Sequence, residues 1–340
     1  MIREESLDSL RRRIREEKPL IHCITNPISI HDCANIILAA GARPIMAEHP
    51  LEVEEITATA RALMLNLGNI TDVRMESMER SLRTAKRAGI PVLLDLVGVS
   101  CSRLRNDFSR HLLDIGGISI IKGNMSEILT AAGLPSHTSG IDAGKEDALN
   151  GGNLSRISRA FGELAGQRGC VVMATGPEDL ITDGKWTLLV ANGTEKLSGI
   201  TGTGCMLGAL TSAFLPGKDA FLAALLGAVL MGAAGELAGE RAKGPGSFQA
   251  ELLDEIYGLT AGQLAERMRV READVREADV RETDVRGTGL PETDVQGAGV
   301  RETGFPVAGS QEADSDVSGD IDSACSHNTP EKASRNSLGD

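Results

Sequence analysis

An α/β fold with a mostly parallel sheet covered by helices on both faces follows from two features of the chain. Short apolar runs without alternation recur along it, and helical, amphipathic stretches separate them. Strands that are apolar at every position are buried on both faces, and joining them through helices makes them parallel. The expected strands are 20–24, 44–46, 62–67, 91–96, 118–121 and 171–174. The expected helices between them are 32–40, 51–60, 73–88, 107–113 and 154–165. A hairpin is predicted over Leu180–Val190, where Asp183-Gly184 supplies the turn, so the sheet should gain antiparallel strands after its last parallel one. From Gly204 to Ala265 the pattern reads as three helices. One of these contains the apolar run Ala220–Gly235, 16 residues long and rich in Ala and Gly. A membrane span needs about 20 apolar residues, so a core helix is expected there and no membrane partner.

Composition narrows the function. The 340 residues are 41% hydrophobic but only 2% aromatic, so Leu, Ile, Val, Ala and Met must build the core. The six cysteines, at 23, 33, 101, 170, 205 and 325, form no CxxC pair. Reduced thiols in a cytoplasmic protein are the expectation, with neither a zinc site nor a disulfide framework. A net charge of −13 argues against a nucleic-acid partner, but the charge is uneven. Residues 271–340 hold 7 basic and 16 acidic residues, a net of −9, which leaves −4 for residues 1–270.

The chain divides near residue 267. Beyond it comes a five-residue repeat, VREAD (270–274), VREAD (275–279) and VRETD (280–284), which decays into Gly-, Ser- and Asp-rich sequence. One Val in five fits neither the helix nor the strand period. The organisation predicted is a catalytic domain over 1–267 and a disordered acidic tail over 268–340. The tail reads as a solvated appendage, with partner binding as its alternative.

Three stretches carry candidate chemistry. The first is Thr201-Gly202-Thr203-Gly204-Cys205 ahead of a helical pattern. Glycines let backbone N–H groups converge, and a helix start adds free amides and a positive dipole end, together a receptor for phosphate. Alone, such a stretch is equally a tight turn. It is not a Walker A loop, because no Lys follows the second Gly. Cys205 at the helix start is a candidate base or polar contact, ahead of a covalent nucleophile, with an inert packing residue as the plain alternative.

The second is Lys122-Gly123-Asn124-Met125-Ser126-Glu127, directly after a strand. Asn124 and Glu127 have the spacing of a capping box. They also lie, with Asp95, at the carboxyl edge of a parallel sheet, where α/β enzymes bind ligands and where Mg²⁺ and ATP phosphates could be held. The third is His22–Pro27 with Gly41–Met46. There Asn26 follows a strand, Met46 is a candidate for packing a flat heterocycle or for plain core filling, and His22 reads as a core histidine.

Taken together and in order, these stretches resemble hydroxyethylthiazole kinase, of the ribokinase-like superfamily. The matching segments are Pro19–Asn26, Ala34-Asn35, Gly41–Ala47, Leu65–Gly68, Asp95 with Val97-Gly98, Gly123–Ile128, Val171–Gly176, Val190–Gly193 and Thr201–Cys205, across roughly residues 5–262. The resemblance implies a three-layer α/β/α sandwich and a homotrimer with sites at subunit interfaces. It implies transfer of the ATP γ-phosphate, with Mg²⁺, to the alcohol of 4-methyl-5-(2-hydroxyethyl)thiazole. By position, Met46, Asn26 and Gly202 would meet the thiazole, and Lys122, Thr175 and Asn124 would meet ATP. Asp95 and Glu127 would serve the metal, and Gly202, Thr203, Gly204 and Cys205 would form the catalytic loop. Lys122 stands where that family usually has Arg, Leu96 where it has Pro, and Pro27-Ile28-Ser29 replaces a more usual triplet. Kinases of the pyridoxal or hydroxymethylpyrimidine type, and a non-catalytic ligand-binding scaffold, are the alternatives.

Overall fold

The computed structural model describes residues 4–139 and 142–273. In chain order the elements are α1 (Glu4–Glu17), β1 (Leu20–Ile24), α2 (Ile30–Ala40), β2 (Arg43–Ile45), α3 (Val53–Thr59), β3 (Ala62–Asn66), α4 (Asp72–Ala88), β4 (Val92–Asp95), α5 (Arg103–Ile115), β5 (Ile120–Asn124) and α6 (Met125–Ala131). A two-stranded ribbon of β6 (Thr138–Ser139) and β7 (Asp142–Ala143) precedes α7 (Leu154–Arg168), β8 (Val171–Thr175), β9 (Asp179–Thr182) and β10 (Thr187–Val190). The chain then runs through α8 (Thr203–Phe214), α9 (Ala220–Arg241), α10 (Pro245–Gly258) and α11 (Ala261–Arg267) to β11 (Val270–Glu272).

The main sheet has the order β11-β10-β9-β8-β5-β4-β3-β1-β2. The six strands from β2 to β8 pair in parallel, and β9, β10 and β11 continue antiparallel. Side chains alternate between two sealed cores, as the strand period of two demands. Ile21, Cys23, Met64, Leu93, Ile120 and Met173 face a layer made by α1, α2 and α8 to α11. Ile24, Leu63, Leu65, Leu94, Ile121 and Val172 face a layer made by α3 to α7. The three-layer sandwich is the one the sequence predicts.

Helix α9 is long and apolar enough to cross a membrane, yet most of it is buried in the first core. Its lack of a polar face is explained by neighbours on every side: α8, α10 and the strands β8 to β10. Gly208 of α8 marks a similar close approach. A Cβ there would lie 2.7 Å from Met64 Cε and 3.1 Å from Asp95 Oδ2, so its absence lets α8 press onto β3 and β4.

Two expectations need correction. Residues 204–265 form most of four helices rather than three, because Pro245 opens α10 and a Thr260–Gln263 capping box starts the separate α11. The ordered part also passes residue 267: Val270–Glu272 adds to the sheet edge beside β10, and Ala273 is buried. Pairing with Leu188–Val190 supplies the order that a five-residue period conceals. From residue 274 onward the predicted tail lies outside the described residues.

Candidate active site

The carboxyl ends of β1, β3, β4 and β5 place Asn26, Asn66, Asp95 and Lys122 side by side beneath the start of α8. The register makes this unavoidable: Asn66 pairs with Asp95, and Asp95 with Lys122. All four are buried. Lys122 Nζ donates to Asp95 Oδ1 and Oδ2, both at 3.1 Å, and to the Gly204 carbonyl at 2.7 Å. Asn66 Nδ2 donates to Asp95 Oδ2 at 3.0 Å. Asn26 Nδ2 donates to Asn66 Oδ1 at 3.2 Å and to Cys205 Sγ at 3.3 Å.

Burial of both partners raises the stakes of the Lys122–Asp95 pair, because an unpaired charge at this depth is costly. Burial pushes the Asp95 carboxyl above its usual range, against the pull of Lys122 and Asn66. Burial also opposes the Lys122 charge, but Asp95, Cys205 and Glu127 together hold that ammonium above its ordinary value. Lys122 therefore stays a cation and a donor.

Helix α8 opens without a side-chain cap. Gly202 takes φ 89°, a left-handed conformation that a side chain strains, and a Cβ there would meet Ser29 Cβ at 2.9 Å. The first helical bond runs from the Met206 N–H to the Gly202 carbonyl. The amides of Thr203, Gly204 and Cys205 have no partner among the described residues. The Thr203 hydroxyl does not join them: it donates to the Leu197 carbonyl at 2.9 Å and to that of Ile200 at 3.4 Å. Thr203 thus offers its backbone, not its side chain, at this helix start.

Across the same edge, α6 begins with the capping box that its spacing predicts. Asn124 Oδ1 accepts the Glu127 N–H at 2.9 Å, and Glu127 Oε2 accepts the Asn124 N–H at 2.7 Å. The other Glu127 oxygen accepts the Gly98 N–H at 2.7 Å. Burial, helped by the neighbouring Asp95, pushes the Glu127 carboxyl up to about 7 against the pull of the Gly98 and Asn124 amides and of Lys122. Thr175 ends β8 opposite Asn124, and its hydroxyl donates to the Gly123 carbonyl at 3.3 Å.

The structure brings Asn26, Asp95, Lys122, Gly204 and Cys205 into one bonded group. At the same edge, Asn124 ends β5, Glu127 follows it in the first turn of α6, and Thr175 ends β8, one strand further along. Met46, half-buried beyond β2, packs against the first core. Lys122 is only 3% exposed and its charge faces inward, so the expected contact with ATP is not what its geometry offers. Asp95 is fully buried, with Lys122 on both oxygens, and does not present itself as an open metal ligand. Among the described residues no cluster of three or more His, Cys, Asp or Glu side chains is set to hold a metal ion. His22 is the core histidine expected, bonded to Thr57 Oγ1 at 2.8 Å and to the Ala47 carbonyl at 2.9 Å. Sequence reasoning missed Asn66 as a site residue. Its signals are a polar side chain closing an otherwise apolar strand and a place within the matching segment Leu65–Gly68.

A buried polar group at the carboxyl edge of a parallel sheet, under a helix whose first amides are free, is the arrangement of a ribokinase-like phosphotransferase. At the level of fold, a ribokinase-like superfamily protein from Enterococcus faecalis superposes with a TM-score of 0.52 at 11% identity, over 75% of this chain and 94% of that one. Residues 11–262 match the hydroxyethylthiazole kinase family, and the chain belongs to that family. Hydroxyethylthiazole kinase 2 of Clostridium botulinum strain Hall is 47% identical over 261 residues, 77% of this chain and 98% of that protein. The Clostridium beijerinckii hydroxyethylthiazole kinase is 42% identical over 269 residues, 78% of this chain and 97% of its own. The solved hydroxyethylthiazole kinase of Pyrococcus horikoshii superposes with a TM-score of 0.71 at 33% identity, over 79% of this chain and all of that one. The protein is a kinase, with a small molecule and ATP as its partners and a divalent metal as the general requirement of the chemistry.

Proposed function

We propose that the protein transfers the γ-phosphate of ATP, with Mg²⁺, to the primary alcohol of 4-methyl-5-(2-hydroxyethyl)thiazole, a step of thiamine salvage in the cytoplasm. The observation that carries this reading is the uncapped start of α8 beside Cys205. Three free amides at a helix start can take the charge that spreads over a phosphoryl group in transfer. The alcohol oxygen attacks the γ-phosphorus in line and its bond to the β–γ bridging oxygen breaks. The hydroxyl proton passes to the Cys205 thiolate, which becomes the thiol; its sulfur already accepts a hydrogen bond from Asn26.

Lys122 acts from below. By binding the Gly204 carbonyl and Asp95 together, it holds the helix start in place over the sheet edge. Thr175 and Asn124 line the side from which ATP approaches. Mg²⁺ usually keeps several waters and binds through one or two carboxylates and the substrate phosphates, so no protein cage is required. Glu127 fits such a donor set, since each of its oxygens accepts one N–H and keeps a second lone pair. When bound, the ion neutralises the phosphate oxygens. Met46 and Gly202 meet the thiazole.

Exposed Ile28, Leu38 and Leu51, at 60%, 52% and 81%, lie near the loops that follow β1 and β2 and on α2. Covering them with neighbouring subunits suits a homotrimer whose sites form at its interfaces. An ADP-release assay over a panel of alcohols tests the assignment. The thiazole alcohol should give the highest kcat/KM. A higher value for pyridoxal or a hydroxymethylpyrimidine would overturn the substrate, and no ADP release with any alcohol would overturn the kinase reading.

A further inference from the structure

The polar residues under α8 form a closed circuit: Cys205, Asn26, Asn66, Asp95, Lys122 and back to Gly204, the neighbour of Cys205. Its direction is dictated by groups that can only donate. The Ile28 and Ser29 N–H groups both point at Asn26 Oδ1, each at 3.1 Å. The Gly68 N–H points at Asn66 Oδ1 at 2.9 Å, and the Lys122 ammonium points at Asp95. Turning over either amide would set N–H against N–H. Asn66 must therefore offer its oxygen to Asn26 and its NH₂ to Asp95. Asn26 must offer one N–H to Asn66 and the other to Cys205 Sγ.

That uses all the bonding capacity of the Asn26 amide: two N–H groups donated and two lone pairs filled. At 5% exposure it has nothing left for a substrate. We infer that Asn26 is a positioning residue rather than a substrate contact. It keeps the Cys205 sulfur a hydrogen-bond acceptor, and Asn66 ties that orientation to the Asp95–Lys122 pair. A sulfur barred from donating to Asn26 keeps its acceptor character toward the reacting hydroxyl. This inference rests on the reading that Cys205 receives the alcohol proton.

The test uses the full-length protein and compares Cys205 with Cys101, which is exposed and serves as an internal reference. Alkylation by iodoacetamide is followed peptide by peptide by mass spectrometry, alongside kcat and KM. Asn26→Asp keeps the size and the acceptor but replaces the N–H facing sulfur with a carboxylate oxygen. The Cys205:Cys101 rate ratio should fall about tenfold, because a hydrogen bond donated to sulfur stabilises the reactive thiolate. The value of kcat should fall while the KM for ATP stays put. Asn66→Ala should move both quantities the same way by a smaller factor, and it carries the test should the aspartate variant fail to fold. Simple loosening of the packing would expose Cys205 and raise the ratio. A rise, or no change, in the ratio overturns the inference. Should Cys205→Ala retain full kcat, the proton-accepting role fails instead, and the two failures are told apart.

Discussion

Two helices start at the same sheet edge, and they finish their backbones in opposite ways. Helix α6 closes its own N-terminus: Asn124 and Glu127 each satisfy the other's amide. Helix α8 begins at a left-handed Gly202 with no side-chain cap, and the Thr203 hydroxyl in its first turn is turned to Leu197 and Ile200. A capped start has its backbone amides spoken for and leaves only side-chain lone pairs to a ligand. An uncapped one keeps donors in reserve, at a cost in free energy that a ligand can repay. The contrast separates stability from catalysis along one edge of the sheet, and substitutions at each end should fall into those two classes.

The largest effect is expected beneath α8. Lys122→Met leaves Asp95 buried without its ion partner and should cost about 3–5 kcal/mol of stability along with activity. In urea titrations the double variant Asp95→Asn, Lys122→Met should recover part of that loss. Equal destabilisation in single and double variants would mean the pair is not coupled. Next comes the mouth of the helix. Gly202→Val forces a β-branched residue to φ 89° and against Ser29, displacing the amides. Turnover should drop by about 100- to 1,000-fold, with circular dichroism and cooperative melting preserved.

The capped end should answer to pH. The Glu127 carboxyl is pushed up to about 7, so its folded-state value lies above the unfolded one near 4.5. Its contribution is fully present below the unfolded value and is lost as pH rises through about 7. Between pH 5 and pH 8 the wild type should lose stability relative to Glu127→Gln, by up to about 3 kcal/mol at 1.36 kcal/mol per pH unit. A flat difference across that range contradicts the assignment. Smallest is Asn124→Ala, which removes one cap bond and should cost about 1 kcal/mol in chemical denaturation. Its effect on kcat should stay well below that of Gly202→Val.

Much of this was readable in the chain because burial writes itself as pattern. The parallel strands are apolar over most of their length, and the expected runs fall within about three residues of the observed ends. The Asn124–Glu127 cap was visible because it is local, three residues apart. What stayed hidden depends on partners far away in sequence. Strand β11 borrows its order from β10, some 80 residues earlier, while its own five-residue period points to no structure. Helix α1 carries Leu7, Leu10 and Ile14 at helical spacing, but charged residues dominate the stretch and mask that pattern. Asn66 acquires meaning only once β3 is known to lie between β1 and β4. The family resemblance sets Lys122, just after the strand 118–121, against ATP. Only the fold shows Asp95 waiting beside it.

Catalysis turns on what the free amides of Thr203, Gly204 and Cys205 hold during the reaction. A crystal structure with ADP, aluminium fluoride and the thiazole alcohol would show this directly. The metal fluoride, standing in for the phosphoryl group between donor and acceptor, should lie within hydrogen-bond distance of the Gly204 and Cys205 N–H groups. A fluoride bound elsewhere, with those amides on water or covered by a protein side chain, would contradict it.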